Sequence, residues 1–325
     1  MERGLGRWLI LPLVVVLLLS TLYSGDVSYK EGEWLKLVPA GSLGAVYFDG
    51  QVLHDDSTRR ILASFGWGDR YGSFMGELNR SIGIDYSRVN YGVLVVKDYE
   101  PTIIAALYVE GGFNDTARIT SRILAVTKED RWRGPYNFTY RGFTVLWWKK
   151  RDGYRTGLVV DDGFFILGDL GLVVKILNLK LGGNGWAGEF RKVVEKIGTG
   201  EITAVYNFRK MLNRLDAEPG SPGGDLAEGV DYIGFSYRAG GDNVGIVVCL
   251  MARDDRTARD LANVYEAFRL QLSASARSLG NAEASRFLSD DVSVISDGRA
   301  VLIRVRSDEE RFEAFGKFLN EVPPG

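Results

Sequence analysis

Tyr91 to Arg118, YGVLVVKDYEPTIIAALYVEGGFNDTAR, aligns without a gap with Tyr232 to Arg259, YIGFSYRAGGDNVGIVVCLMARDDRTAR. Both stretches open on Tyr and an apolar run, break at a charged turn, resume with a second apolar run and end on Thr-Ala-Arg. Each predicts a β-hairpin followed by a helix start. Asn114 and Asp255 stand just before Thr-Ala-Arg, where a short polar side chain accepts from the first free helix N–H groups. Upstream, Gly41-Ser42-Leu43-Gly44-Ala45-Val46-Tyr47 matches Gly200-Glu201-Ile202-Thr203-Ala204-Val205-Tyr206. Downstream, Asp162-Gly163-Phe164-Phe165-Ile166-Leu167 matches Asp297-Gly298-Arg299-Ala300-Val301-Leu302, a hairpin turn with the strand leaving it. Blocks recurring in one order are the mark of an internal repeat.

Each copy therefore reads strand, helix, hairpin, helix, hairpin, helix. The expected fold is α+β: two tandem copies of a βαββαββα repeat with ferredoxin-like packing, after an N-terminal transmembrane helix. In the second copy Leu261, Val264, Tyr265, Phe268 and Leu272 recur at helical spacing. The last helix opens on a capping box, Ser307-Asp308-Glu309-Glu310, and should bury Phe312, Phe315 and Leu319. Strands such as Val93-Leu94-Val95-Val96 are apolar on both faces, so helices are expected on one face and the partner repeat on the other. Residues 38–182 and 199–325 bound the copies. Residues 183–198 link them, with Gly182-Gly183-Asn184-Gly185 as a flexible break and a short helix over Glu189 to Ile197. The copies differ most between Ser64 and Asn90, and Ala217 to Gly229 is an irregular Gly/Pro-rich loop.

Ahead of the repeats, Trp8 to Tyr23 is WLILPLVVVLLLSTLY, sixteen residues without a charge. As a helix it spans roughly 24 Å, against a hydrocarbon core of ~30 Å. Aromatic residues bracket it, no small-x-small cleavage site follows it, and Arg3 and Arg7 precede it while Asp26 follows. These flanks favour an uncleaved anchor over a cleaved signal, with the N-terminus cytoplasmic and the rest outside. The expected organisation is a cytoplasmic tip and signal anchor in 1–25, meeting the lipid bilayer through 8–23, then a juxtamembrane linker in 26–37. Sequons at Asn79, Asn114 and Asn137 would be open to glycosylation on the far side, although a helix-capping Asn114 has its amide engaged.

Leu37-Val38-Pro39-Ala40-Gly41-Ser42-Leu43, Val160-Asp161-Asp162-Gly163-Phe164-Phe165-Ile166-Leu167-Gly168 and Glu189-Phe190-Arg191-Lys192-Val193-Val194-Glu195-Lys196-Ile197 lie around these blocks. Together they resemble the duplicated, membrane-anchored extracytoplasmic proteins of bacteria and archaea grouped as a domain of unknown function. The resemblance covers most of residues 37 to 320 and implies a tandem α+β fold outside the membrane, with no catalytic residues to carry over.

Several chemistries lack their residues. Basic and acidic residues number 40 and 42 with no Lys/Arg-rich run, so no nucleic-acid partner is expected. His54 is the only His and Cys249 the only Cys, which removes His-based triads, multi-His metal sites and an internal disulfide. Cys249, inside an apolar run, reads as a small buried hydrophobe. Gly183-Asn184-Gly185-Trp186-Ala187-Gly188 fits G-x-G-x-x-G, but a helix rather than a strand ends before it, so no dinucleotide is expected. His54-Asp55-Asp56 reads as a polar helix start, and Asp254-Asp255 and Asp290-Asp291 as cap and turn acids. Ser73 lacks the first Gly of a nucleophile elbow. No cofactor and no enzymatic activity is expected.

Aromatic residues are concentrated at one place. Trp132, Tyr136, Tyr140, Phe143, Trp147 and Trp148 lie on one hairpin and its lead-in. They could form a platform for a protein partner or surface glycan, since Trp and Tyr combine large contact area with a polar edge. The competing role, filling a seam or facing the membrane, is the commoner use of such residues. The function expected is that of a non-enzymatic binding or scaffolding module of the cell envelope, acting through the cleft between the repeats or the Trp132–Trp148 hairpin. The alternative is a carboxylate-based hydrolase of cell-surface glycans, which needs two acids around one pocket.

Overall fold

The computed structural model describes residues 32–50, 86–98, 104–113, 116–129, 132–212, 229–240 and 243–321. The apolar segment 8–23, His54-Asp55-Asp56, Asn79, Asn114 and most of the Gly/Pro-rich loop lie outside the described residues. Among those residues no helix is long and apolar enough to cross a membrane. The fold is mixed α+β, and the described chain divides into two compact units at Glu189/Phe190.

The hairpins form as the apolar runs dictate. In the first unit β1 (Gly44–Asp49), β2 (Val89–Asp98) and β3 (Ile104–Gly111) lead into helix α1 (Thr116–Glu129). Then follow β4 (Arg133–Tyr140), β5 (Phe143–Lys149), β6 (Arg155–Val160), β7 (Phe164–Asp169) and helix α2 (Leu170–Lys180). The strands lie in the order β1-β2-β3-β7-β6-β5-β4, antiparallel throughout. The second unit runs α3 (Arg191–Ile197), β8 (Ile202–Asn207), α4 (Phe208–Leu212), β9 (Val230–Gly240), β10 (Asn243–Ala252) and α5 (Asp255–Ser278). It ends with α6 (Ala282–Arg286), β11 (Val292–Asp297), β12 (Ala300–Asp308) and α7 (Glu309–Glu321). Its order is β8-β9-β10-β12-β11. With β4 and β5 removed, the first unit has the same order, strand for strand.

This order departs from the ferredoxin-like packing expected from sequence. A split βαβ unit places its first two strands parallel with a third between them, whereas β8 pairs directly and antiparallel with β9. In the first unit β1 pairs with β2 in the same antiparallel way, so in both units the opening strand runs against its neighbour rather than alongside it.

Strand alternation sends each register row to one face. In the first unit Ala45, Tyr47, Val93, Val95, Tyr108 and Ile166 share a face with α2, which buries Leu172, Val173, Ile176 and Leu177. An aromatic row crosses it: Trp34 on Tyr47 (5.7 Å), Tyr47 on Tyr91, Tyr91 on Tyr108, Tyr108 on Phe164 (5.9 Å each) and Phe164 on Phe143 (5.7 Å). The opposite face carries Val109, Phe165, Leu158 and Trp148 under Ile119 and Ile123 of α1. Both faces therefore have a helix, where one was expected. Each large apolar side chain so buried contributes roughly 1.5–3 kcal/mol.

The second unit also has helices on both faces, but α7 lies on the same face as α5, whereas α1 and α2 lie on opposite faces. Ile246, Val248, Ile303 and Val305 face Tyr265 of α5 and Phe312 and Phe315 of α7, with Phe287 stacked on Phe315 at 4.4 Å. On the other face Val193 and Ile197 of α3 cover Cys249, Ala300 and Leu302. Close approach is allowed by Gly234, where an added Cβ would lie 2.3 Å from Val193 Cγ1. Helix α2 has the same device in Gly157, whose added Cβ would meet Leu170 Cδ1 at 2.9 Å.

Three local expectations shift by a residue. Asp254, not Asp255, caps α5, its Oδ1 accepting from Thr257 N at 2.8 Å. The last helix is capped by Asp308, which accepts from Arg311 N (2.8 Å), while Ser307 Oγ donates to Asp291 Oδ2. It buries Phe318 rather than half-buried Leu319. Residues 182–188 are fixed rather than loose: Gly185 O accepts from Ala40 N (2.6 Å) and Ala187 N donates to Val38 O (2.7 Å).

Candidate functional site

Strand β4 ends the first unit's strand order and is exposed along most of its length. Period-two alternation puts Tyr136, Phe138 and Tyr140 on the face that also carries Phe143, Val145 and Trp147 of β5. Tyr136 and Trp147 are register partners with ring centroids 4.6 Å apart, and the Arg155 guanidinium lies 5.4 Å over the Trp147 ring. Tyr136 is 45% exposed and Trp147 half-buried. The pair is thus an outward aromatic surface with a cation beside it.

Trp148 does not belong to that surface. One step along β5 it turns to the opposite face, where it is 1% exposed within the core under α1. Trp132 is half-buried against the same core, with Lys150 Nζ 4.8 Å over its ring. These two anchor the hairpin, while Tyr136, Tyr140 and Trp147 present it. Asn137 lies exposed on β4, pointing away from that aromatic face.

Tyr140 leads into a cavity of about 280 Å³ beside the last turn of α2. Its polar walls are Tyr140, Lys175, Asn178 and Asn184, and its apolar walls are Pro39, Val174 and Leu179. Tyr140 Oη donates to Asn178 Oδ1 at 3.3 Å. The Lys175 and Asn184 side chains make no hydrogen bond or ion pair among the described residues. The cavity's far wall is the pinned 182–188 segment. No acid lines it, so the two-carboxylate arrangement that a glycan hydrolase needs is not found there.

Sequence reasoning missed Lys175, Asn178 and Asn184, whose signal is faint: a lone Lys and a lone Asn inside the apolar helix LGLVVKILNLK. It also missed Glu110, opposite Tyr91 and Phe164 on the α2 face. This carboxylate accepts from Tyr91 Oη (2.9 Å), Tyr108 Oη (2.5 Å) and Lys180 Nζ (2.5 Å). Burial pushes its pKa up, but the three donors outweigh burial and hold it below the ordinary value. Lys180 also lies over the Tyr108 and Phe164 rings, at 5.4 and 5.7 Å.

A second cavity, about 80 Å³, lies between α5, α7 and strands β10 to β12 and is almost wholly apolar. Its one charged lining residue, Arg269, donates to Glu266 and to the Leu288 carbonyl. Cys249 is fully buried, and burial pushes its thiol up to about 12. Asp291 bonds Ser307 and Arg311. Among the described residues no group of three His, Cys, Asp or Glu is placed to hold a metal.

No family model matches the chain, and no curated protein does. Among solved structures, crystal forms III, IV and I of TP0453 are similar to it at 11%, 10% and 12% identity. They cover 90%, 87% and 91% of this chain and 100%, 96% and 99% of theirs, with TM-scores of 0.45, 0.46 and 0.40.

Proposed function

We propose that this chain is a single-pass, membrane-tethered binding module of the cell envelope, without enzymatic activity of its own. Residues 8–23 anchor it, its N-terminus is cytoplasmic, and a duplicated α+β body stands outside. The matching strand orders of the two units support duplication. The binding surface is the β4–β5 hairpin, which among the described residues only the first unit has. The observation that carries this reading is Tyr136, exposed on the end strand β4 and paired with half-buried Trp147 of β5, next to which Trp148 is buried on the opposite face. Rigid aromatic residues with a polar edge are the side chains that most often dominate recognition surfaces.

The test is site-specific photo-crosslinking of the full chain in its native membrane. A benzophenone amino acid at position 136 should capture a defined envelope component. The same probe at Leu279, 67% exposed on the second unit, should not. Equal capture at both positions, or none at 136, defeats the assignment.

A further inference from the structure

The cavity beside Tyr140 has walls suited to one class of ligand, and we infer that it is a saccharide subsite, taking one neutral sugar ring with the adjoining units lying along β4 toward Tyr136 and Trp147. This deepens the binding-module reading above and rests on it. A pyranose shows hydroxyl groups around its rim and C–H groups on its faces. A site for it needs donors, acceptors and an apolar wall together. Asn178 and Asn184 each offer a donor and an acceptor on one amide, Tyr140 a hydroxyl, Lys175 an ammonium, and Val174, Leu179 and Pro39 the apolar contact. The Asn184 and Lys175 side chains have no partner among the described residues, so a ligand would replace water there rather than break protein bonds.

Charge argues for a neutral ligand. The cavity sits at the C-terminal turn of α2, the negative end of the helix dipole, which opposes an anion near Lys175. Reach supports an oligosaccharide. Tyr140 and Tyr136 are four residues apart on one face of β4, roughly 13 Å, so a chain leaving the cavity arrives at the Tyr136–Trp147 rings.

The experiment is isothermal titration of the full-length chain in detergent micelles with maltotetraose, cellotetraose and chitotetraose, each beside its disaccharide, and with inorganic phosphate. At least one tetrasaccharide should bind, its disaccharide about tenfold more weakly, and phosphate not at all. Asn184→Ala, on an exposed residue, and Asn178→Ala should each weaken the tetrasaccharide about tenfold, and Trp147→Ala should reduce it to the level of the disaccharide. Binding unchanged in Asn184→Ala and in Asn178→Ala overturns the site. If no tetrasaccharide binds yet position 136 crosslinks to a protein in the membrane, the saccharide assignment fails and the binding module stands. If position 136 also captures nothing, both fail.

Discussion

Glu110 has three donors and sits where a strand of apolar residues would otherwise continue, so its protonation should be felt by the fold. Its folded pKa lies below the unfolded value of about 4.5. The stabilisation is therefore complete above that value and is lost as pH falls through the lower, folded one. Urea titrations of the native chain should show the midpoint dropping below pH 4.5. Glu110→Gln should lower stability at pH 7 by about 1–3 kcal/mol and flatten that acid limb; an unchanged limb would show that other carboxylates govern it. At this scale the sequence was readable by type but not by direction. Trp147 and Trp148 are chemically equal in the chain, yet alternation sends one to a surface and the other to the core. Nothing local fixes that parity until register with β4 and β6 is set. The cap of α5 moved from Asp255 to Asp254 for a related reason, since either acid can serve and the helix start decides.

Helices α2 and α3 each lie against a strand at a glycine, and this closeness can be tested. Gly234→Ala forces a methyl group to 2.3 Å from Val193 Cγ1, so α3 must move off Cys249. The expected cost is roughly 1–3 kcal/mol, seen as a lower urea midpoint. Gly112→Ala, with nothing within 4 Å, should change little and serves as control. Asp169 caps α2 through Leu172 N at 3.0 Å, and Asp169→Ala should cost about 1 kcal/mol in the same measurement. The hairpins β2–β3, β9–β10 and β11–β12 were legible because an apolar run, a charged or glycine turn and a second run specify local antiparallel pairing. Strand order was not. Periodicity shows that a residue lies in a strand, but it does not name the neighbouring strand, which long-range pairing selects. The α2 cavity was hidden for a similar reason, since residues 39, 140, 175, 178 and 184 meet only through tertiary packing.

At the scale of the whole chain the anchor makes a simple prediction. Full-length protein should sediment with membranes and remain there through an alkaline carbonate wash. A variant lacking residues 1–25 should appear in the supernatant; release of the full-length form would remove the anchor from the proposal. The two units share a strand order where the aligned sequence blocks fall, as the proposed duplication would leave them. What breaks the correspondence is the added β4–β5 hairpin, visible in the sequence only as a patch of aromatic residues. A practical consequence follows from the chain's lone thiol. Cys249 is sealed between α3 and the sheet with its pKa near 12, so it should resist iodoacetamide at pH 8 and become reactive when α3 lifts. It is a stopwatch already fitted to the second unit. Mass spectrometry of alkylated protein would time that opening without any engineered label, and Gly234→Ala should make it run fast.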